Sequence, residues 1–480
     1  MVQLLMALDP AKTHAASDSE FERGRTAFLA GRHVDAAVTW RRAAEAGHLL
    51  AAANLGAMYA DGIGVRADKR EALYWLWKAA SKDEWRAAHN LWDLYEAERL
   101  LPRNRGQGIA WRRKAAELGH PRAQVDLGCD LMVGREIAQD DVEGVKWFRK
   151  AAEAGEPLGE FNLGVTYRNG NGQKQDHDQA LRLFRSAAEK GEVNAQHALG
   201  AMLMDARDSA EGLRWLHKAV AQGHAPSFTL IGIAYVNGDG VTADPAAALA
   251  WFKQAADKGD PLGQLQYGVA RLSGLGGETR PEEAADWLAK AASRDLAPAQ
   301  YELGVLYAEG TGVERDLQTA LKWFRAAADQ NYPDALNRIG CHYAEGDGVD
   351  KDPDEALRWF QRAADEGHSG GQYNLGLLRL GGLGVAQDLA EAKRWIQASA
   401  DQDFPLALFT LASMHRDGLG IRKDRKLARG LFCRAAALGH DESKLAAQHL
   451  RWGPIGWMVS GWGVAIFILV GGFIIAMLTR

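Results

Sequence analysis

The chain has 480 residues, a formal net charge of −5 and charged residues at one position in four. A length of this order ordinarily means about three globular domains, yet no Pro/Ser-rich linker divides the sequence, so one elongated array is expected. The small net charge, with no basic stripe, argues against nucleic acid as a partner, and three cysteines far apart, Cys129, Cys341 and Cys433, argue against a disulfide framework and fit a reducing compartment.

Residues 1–19 carry a short apolar stretch but no basic n-region and no A-x-A cleavage site. No secretory signal is expected there, and the segment reads as a poorly ordered arm. From residue 20 to 450 the chain repeats itself. A ruler residue follows an apolar one at Gly56, Trp92, Gly128, Gly164, Gly200, Gly232, Gly268, Gly304, Gly340, Gly376 and Ala412, in steps of 36 except for 32 between Gly200 and Gly232. Stepping 32 back from Gly56 reaches Gly24, so about twelve units are expected. A fixed period between 20 and 50 residues is the mark of a solenoid.

Each fixed position has a physical reason. Alanine, leucine and tyrosine at −5, −1 and +3 from the ruler glycine share one face of a helix, here called helix A. The glycine at the edge of that stripe lets a second helix approach, and GxGV ends helix A because glycine takes left-handed geometry at low cost. An aspartate then caps helix B, followed by proline at the first helical position in Asp244-Pro245 and Asp352-Pro353. Helix B carries AxxWFxxAA, and nine of the sixteen tryptophans stand at its one position, from Trp75 and Trp111 to Trp395, as core packing. Such a hairpin cannot bury its apolar face alone, so neighbours must stack.

The pattern A-x-x-x-[LI]-G-x-x-Y-x-x-G-x-G-V-x-x-D-x-x-x-A-x-x-W-[FL]-x-x-A-A-x-x-G resembles the Sel-one-like repeat branch of the tetratricopeptide superfamily, over roughly nine tenths of the chain. The resemblance implies an all-α, right-handed superhelical solenoid of helix-turn-helix repeats with helix A on the concave face. It also implies adaptor or scaffold work without catalysis, often at membranes. The third repeat departs from the pattern, with Trp92 at the glycine position and RLLPRNRGQG in place of GxGV.

After the last unit, DESKLAAQHL reads as an unpaired helix A that caps the stack, and Trp452-Gly453-Pro454 breaks it. Residues 455–478 then run for 24 positions without a charge. About 20 apolar residues span a bilayer, so a C-terminal transmembrane helix is expected, with Trp452, Trp457 and Trp462 at its interface. Lys444 and Arg451 precede the span and Arg480 alone follows, which favours a tail anchor with the solenoid on the cytoplasmic side. The alternative is a luminal or periplasmic adaptor of membrane protein quality control or envelope assembly.

Three motifs look chemical. Gly367-His368-Ser369-Gly370-Gly371 matches the GxSxG of hydrolases, but that elbow needs a strand before it, and a helix B precedes it here. Glycine-histidine pairs at His48, His120, His224, His368 and His440 share one register in mostly non-adjacent repeats, so they are strung out as turn residues and hold no metal. GxG pairs recur as turns, without the strand or acidic pattern of nucleotide or calcium loops. The chain is therefore read as no enzyme, with no cofactor and no small-molecule substrate.

What remains is the exposed face of helix A. Positions −3 and +1 project opposite the core stripe yet are apolar at Phe161, Leu265, Tyr301, Tyr373 and Phe409, and at Val165, Val269, Val305 and Leu377. Such a row suits a peptide or partner helix, or else packs between repeats. By resemblance to tetratricopeptide clamps, Asn54, Asn90, Asn162 and Asn374 at −2 would bond the backbone of a bound peptide.

Overall fold

The computed structural model describes residues 15–96, 105–134, 137–382 and 386–452. Among them lie 25 helices and no strand, nearly all 12 or 13 residues long. They run as twelve hairpins of helix A and helix B, followed by the unpaired helix Asp441–Trp452. The first hairpin, Ala15–Leu29 with His33–Glu45, begins within the expected arm, whose first 14 residues lie outside the described ones. The span expected over 455–478 also lies outside them. Among the described residues no helix is long and apolar enough to cross a membrane.

The backbone divides into two compact units, residues 1–227 and 228–480, the division falling inside helix Ala225–Asn237. Within each unit every helix packs on its neighbour in sequence, and helix A touches helix A of the following repeat, as Leu49–Asp61 does Trp85–Glu96 in the first unit and Pro333–Glu345 does Ser369–Gly381 in the second. Solenoid contacts are of this nearest-neighbour kind.

Local chemistry sets the helix ends. Asp244 accepts bonds from the amides of Ala246 and Ala247 at 3.0 Å, while Pro245 occupies the first helical turn, where its missing N–H has no cost. Helix A of the repeat that carries Tyr301 ends on Gly310 at φ 76°, where the amide of Gly310 returns to the carbonyl of Leu306. Two residues on, Gly312 at φ 71° presses against the backbone of Pro281 at the start of the preceding helix B, leaving no room for a Cβ. One glycine of GxG therefore turns the chain and the other seats the turn on the previous repeat.

The ruler residue has an equally direct partner. A Cβ on Gly304 would stand 2.6 Å from the ring of Phe324 in helix B, twenty positions on. Phe184, Phe252, Phe324, Phe360 and Phe432 fill that helix B position and are fully buried. The tryptophans one residue earlier sit at the rim. Trp75, Trp147 and Trp215 are buried and the others half-buried. Trp75 and Trp359 donate to Glu71 and Glu355 at 3.0 Å, and Lys218 and Lys290 lie 3.6 Å over the rings of Trp215 and Trp287. All three cysteines are free thiols.

Candidate protein-interaction surface

Helix A is covered on two sides, and this decides what it can offer. The core stripe is buried, for instance at Ala51 and Leu55. Of the −3 residues, expected on the open face, Phe161, Tyr301 and Phe409 turn instead toward helix B of their own repeat. Phe161 lies 5.7 Å from Phe184, Tyr301 5.7 Å from Phe324 and 5.5 Å from Tyr332, and Phe409 5.4 Å from Phe432 and 4.8 Å from His440. Tyr373 lies 5.4 Å from Phe404, and its hydroxyl is 3.3 Å from that of Thr410. Tyr373 and Leu265 are only 4% and 6% exposed. Burial pushes the phenols of Tyr301 and Tyr373 above their ordinary pKa.

The +1 row is more open. Val269 is 37% exposed, and Val165, Val305 and Leu377 are half-buried. The −2 asparagines lie deeper than their register implies: Asn54, Asn90 and Asn374 are buried and Asn162 half-buried. Asn374 donates to Asn337 of the previous repeat at 2.9 Å, so it ties repeats together. Asn54 Nδ2 and Asn90 Oδ1 have no hydrogen-bond partner. An orphaned buried amide atom costs about 1–3 kcal/mol.

Three of the five histidines of the glycine-histidine pairs are side-chain caps of helix A. The Nδ1 atoms of His48, His120 and His368 accept from the amides of Ala51, Ala123 and Gly371 at 3.2, 2.9 and 2.9 Å. His224 and His440 face the hydroxyls of Ser227 and Ser443 at 2.9 Å. An imidazole thus does the work of an N-cap oxygen, which requires the neutral ring. His120 is held there: burial, with His89 and Arg86 close by, lowers its pKa to about 3.

The same geometry disposes of the hydrolase motif. Ser369 opens helix Ser369–Gly381, its neighbour His368 is committed to the cap, and the helix Pro353–Asp365 precedes them. Among the described residues no group of three His, Cys, Asp or Glu side chains could hold a metal ion. The sequence reading missed one feature, a charged cleft beside Trp92 in the third repeat.

A family model described as Sel1 repeat matches eleven segments: 49–84, 86–120, 121–156, 157–192, 193–224, 229–260, 261–296, 297–332, 333–368, 369–404 and 405–440. Among solved structures, the chain is similar to c5321, a protective antigen of uropathogenic Escherichia coli strains displaying an SLR fold. That match has a TM-score of 0.61 at 29% identity, covering 86% of this chain and 90% of that one. A Sel1 repeat protein from Oxalobacter formigenes matches with a TM-score of 0.44 at 28% identity, covering 71% and 89%. No curated protein matches the chain.

Proposed function

The chain belongs to the Sel1 repeat family, whose members mediate protein–protein interaction, and from that premise we propose that it is a membrane-anchored scaffold that holds a protein or peptide partner along helix A. The observation that carries this reading is the run of eleven matched repeats from 49 to 440. Repetition leaves a periodic row of equivalent side chains, which suits an extended ligand better than a small one. Val269, Val305 and Leu377 supply apolar surface along that row. Burial of apolar surface contributes about 25 cal/mol per Å², from which the cost of association is subtracted.

The anchor is residues 455–478, uncharged over 24 positions and long enough to cross a bilayer. Lys444 and Arg451 stand just before the span, a positive bias that favours the repeats on the cytoplasmic side.

The test is affinity purification of the full chain from detergent-solubilised membranes, beside a chain ending at Leu450 and a Val269→Asp variant. The full chain should pellet with membranes and retain its partner. The shortened chain should appear in the soluble fraction, and Val269→Asp should retain at least threefold less partner. A shortened chain that still pellets removes the anchor from this reading, and undiminished capture by Val269→Asp removes the helix A row.

A further inference from the structure

The last hairpin carries a charge pattern found in no other repeat of the second unit. Residues 422–429 read RKDRKLAR, five cations against one aspartate and a net charge of +4, in a chain whose formal charge is −5. Arg422, Lys423, Arg425, Lys426 and Arg429 are all exposed. Among the described residues none of the five forms an ion pair, whereas the cations around them do: Arg416 with Asp417 at 2.6 Å, Arg434 with Asp403 at 2.7 Å and Lys444 with Asp441 at 2.6 Å. Lys423 helps Arg416 to hold the Asp417 carboxyl low, but Arg416 is the partner in contact. Asp424, the one acid inside the run, is the helix cap and accepts from the amide of Leu427 at 2.9 Å.

The neighbouring repeats show that the fold does not ask for these charges. Helix B opens with Pro245-Ala246, Pro281-Glu282, Leu317-Gln318, Pro353-Asp354 and Leu389-Ala390 in the other repeats of the unit, and with Arg425-Lys426 only here. Cations in a first turn oppose the helix macrodipole, which favours acids there. Exposed apolar side chains accompany them, with Leu427 and Leu438 45% exposed and Leu445 of the capping helix 57% exposed.

Topology puts this cluster where the chain leaves the array. The amide of Asp424 returns to the carbonyl of His415 at 2.9 Å across the loop 418–424, so Arg425–Ala437 runs antiparallel to Pro405–Asp417. Residues 438–440 turn the chain once more, and Asp441–Trp452 packs on Arg425–Ala437 and ends at the edge where that loop lies. The 36-residue register sets position 454 beside Gly418. Packed helices lie about 8–10 Å apart, so the cations stand roughly 10–20 Å from the start of the uncharged stretch 455–478, one to two Debye lengths at physiological salt.

We propose that this edge of the last repeat lies against an anionic phospholipid leaflet, with Arg422, Lys423, Arg425, Lys426 and Arg429 meeting the lipid phosphates beside the anchor. The assignment rests on the reading of residues 455–478 as that anchor and deepens it, by naming the lipid class and the edge of the array that faces the bilayer. Each cation near an anionic leaflet is worth roughly a fivefold gain in affinity, and an anchored chain already holds the lipid at high local concentration. Nucleic acid fits less well, since a basic stripe along the array would be needed and the charge is confined to one hairpin.

The test reconstitutes the full-length chain into phosphatidylcholine vesicles, with or without about 30% phosphatidylglycerol, and reads acylation of individual lysines by a neutral reagent with mass spectrometry. Lys423 and Lys426 should react roughly fivefold more slowly in the anionic vesicles, and about 0.5 M sodium chloride should abolish the difference. Lys351 stands at the position of Lys423 two repeats earlier and should react equally in both. A triple variant, Arg422→Gln with Arg425→Gln and Arg429→Gln, alters only exposed side chains and should keep its melting temperature while recovering most of the lysine reactivity. Equal reactivity of Lys423 and Lys426 in the two kinds of vesicle overturns the proposal, as does equal slowing at Lys351 or undiminished slowing in the triple variant. Slowing by duplex DNA in micelles that anionic vesicles fail to reproduce overturns the lipid in favour of nucleic acid. Flotation tests the anchor separately: a chain that does not float with neutral vesicles loses the anchor, while slowed Lys423 and Lys426 on addition of anionic vesicles would still uphold the basic edge.

Discussion

Replacing Tyr373 by alanine separates packing from binding on helix A. The side chain is 96% covered, lies tilted at 5.4 Å from the Phe404 ring and places its hydroxyl 3.3 Å from that of Thr410. Deleting a buried aromatic ring costs about 3–5 kcal/mol, while the hydroxyl alone contributes about 1 kcal/mol. Because each repeat touches only its neighbours, the loss should stay in the helices Ser369–Gly381, Leu389–Asp401 and Pro405–Asp417. Amide hydrogen exchange read by mass spectrometry reports this directly. A loss of about 3 kcal/mol speeds exchange by roughly a hundredfold, at 1.4 kcal/mol per factor of ten. Peptides from residues 369–417 should show that acceleration in Tyr373→Ala and a several-fold one in Tyr373→Phe, with peptides of the first unit unchanged in the same sample. Unaltered exchange over 369–417 in the alanine variant would refute the packing role and return Tyr373 to the binding surface.

Three further outcomes are expected. His120 has a folded pKa of about 3 against an ordinary value near 6.5, so its contribution is complete above pH 6.5 and is lost as pH falls toward 3; at pH 5 the loss reaches at most about 2 kcal/mol, and His120→Asn, a non-titrating cap, should flatten the difference between urea midpoints at pH 7 and pH 5. Asp352→Ala removes the oxygen that accepts from Asp354 and Glu355 at 3.1 and 3.0 Å and should cost about 1 kcal/mol, read as a lower urea midpoint, with Asp352→Asn largely neutral. Burial, aided by Glu345, pushes the Cys341 thiol up to about 12, whereas Cys433 is exposed, so iodoacetamide at pH 8 should label Cys433 first and leave Cys341 largely unmodified until the chain is denatured.

The helices and their ends were legible because every determinant is local. Asp244 caps the helix that its own sequence begins, and Gly310 ends the helix it follows. The stacking was legible too, since a hairpin with an apolar face on each helix has no other way to bury both. The assignment of side chains to the open face was not. A helical wheel drawn for one repeat finds −3 opposite −1, and that is geometrically right, but the wheel carries no information about a second covering helix. Phe161, Tyr301 and Phe409 turn out to pack against helix B of their own repeat, at 5.7, 5.7 and 5.4 Å. The signal was nonetheless present twenty positions away. The ruler glycine exists because helix B brings a phenylalanine or leucine to it, and a close approach at position 0 puts −3, one helical turn back on the same side, under the same helix. Reading positions in pairs across the hairpin would have placed Phe161, Tyr301 and Phe409 partly under helix B. It would also have shown that Trp92 and Arg112 are one coupled exchange: a ring placed where a bare backbone is required is compatible with the fold only if its partner gives up its own bulk, and a guanidinium 4.4 Å over the ring does so while bringing a charge into the array. Such a charge needs Asp130 to balance it, so a single departure at the ruler position commits residues on three consecutive helices.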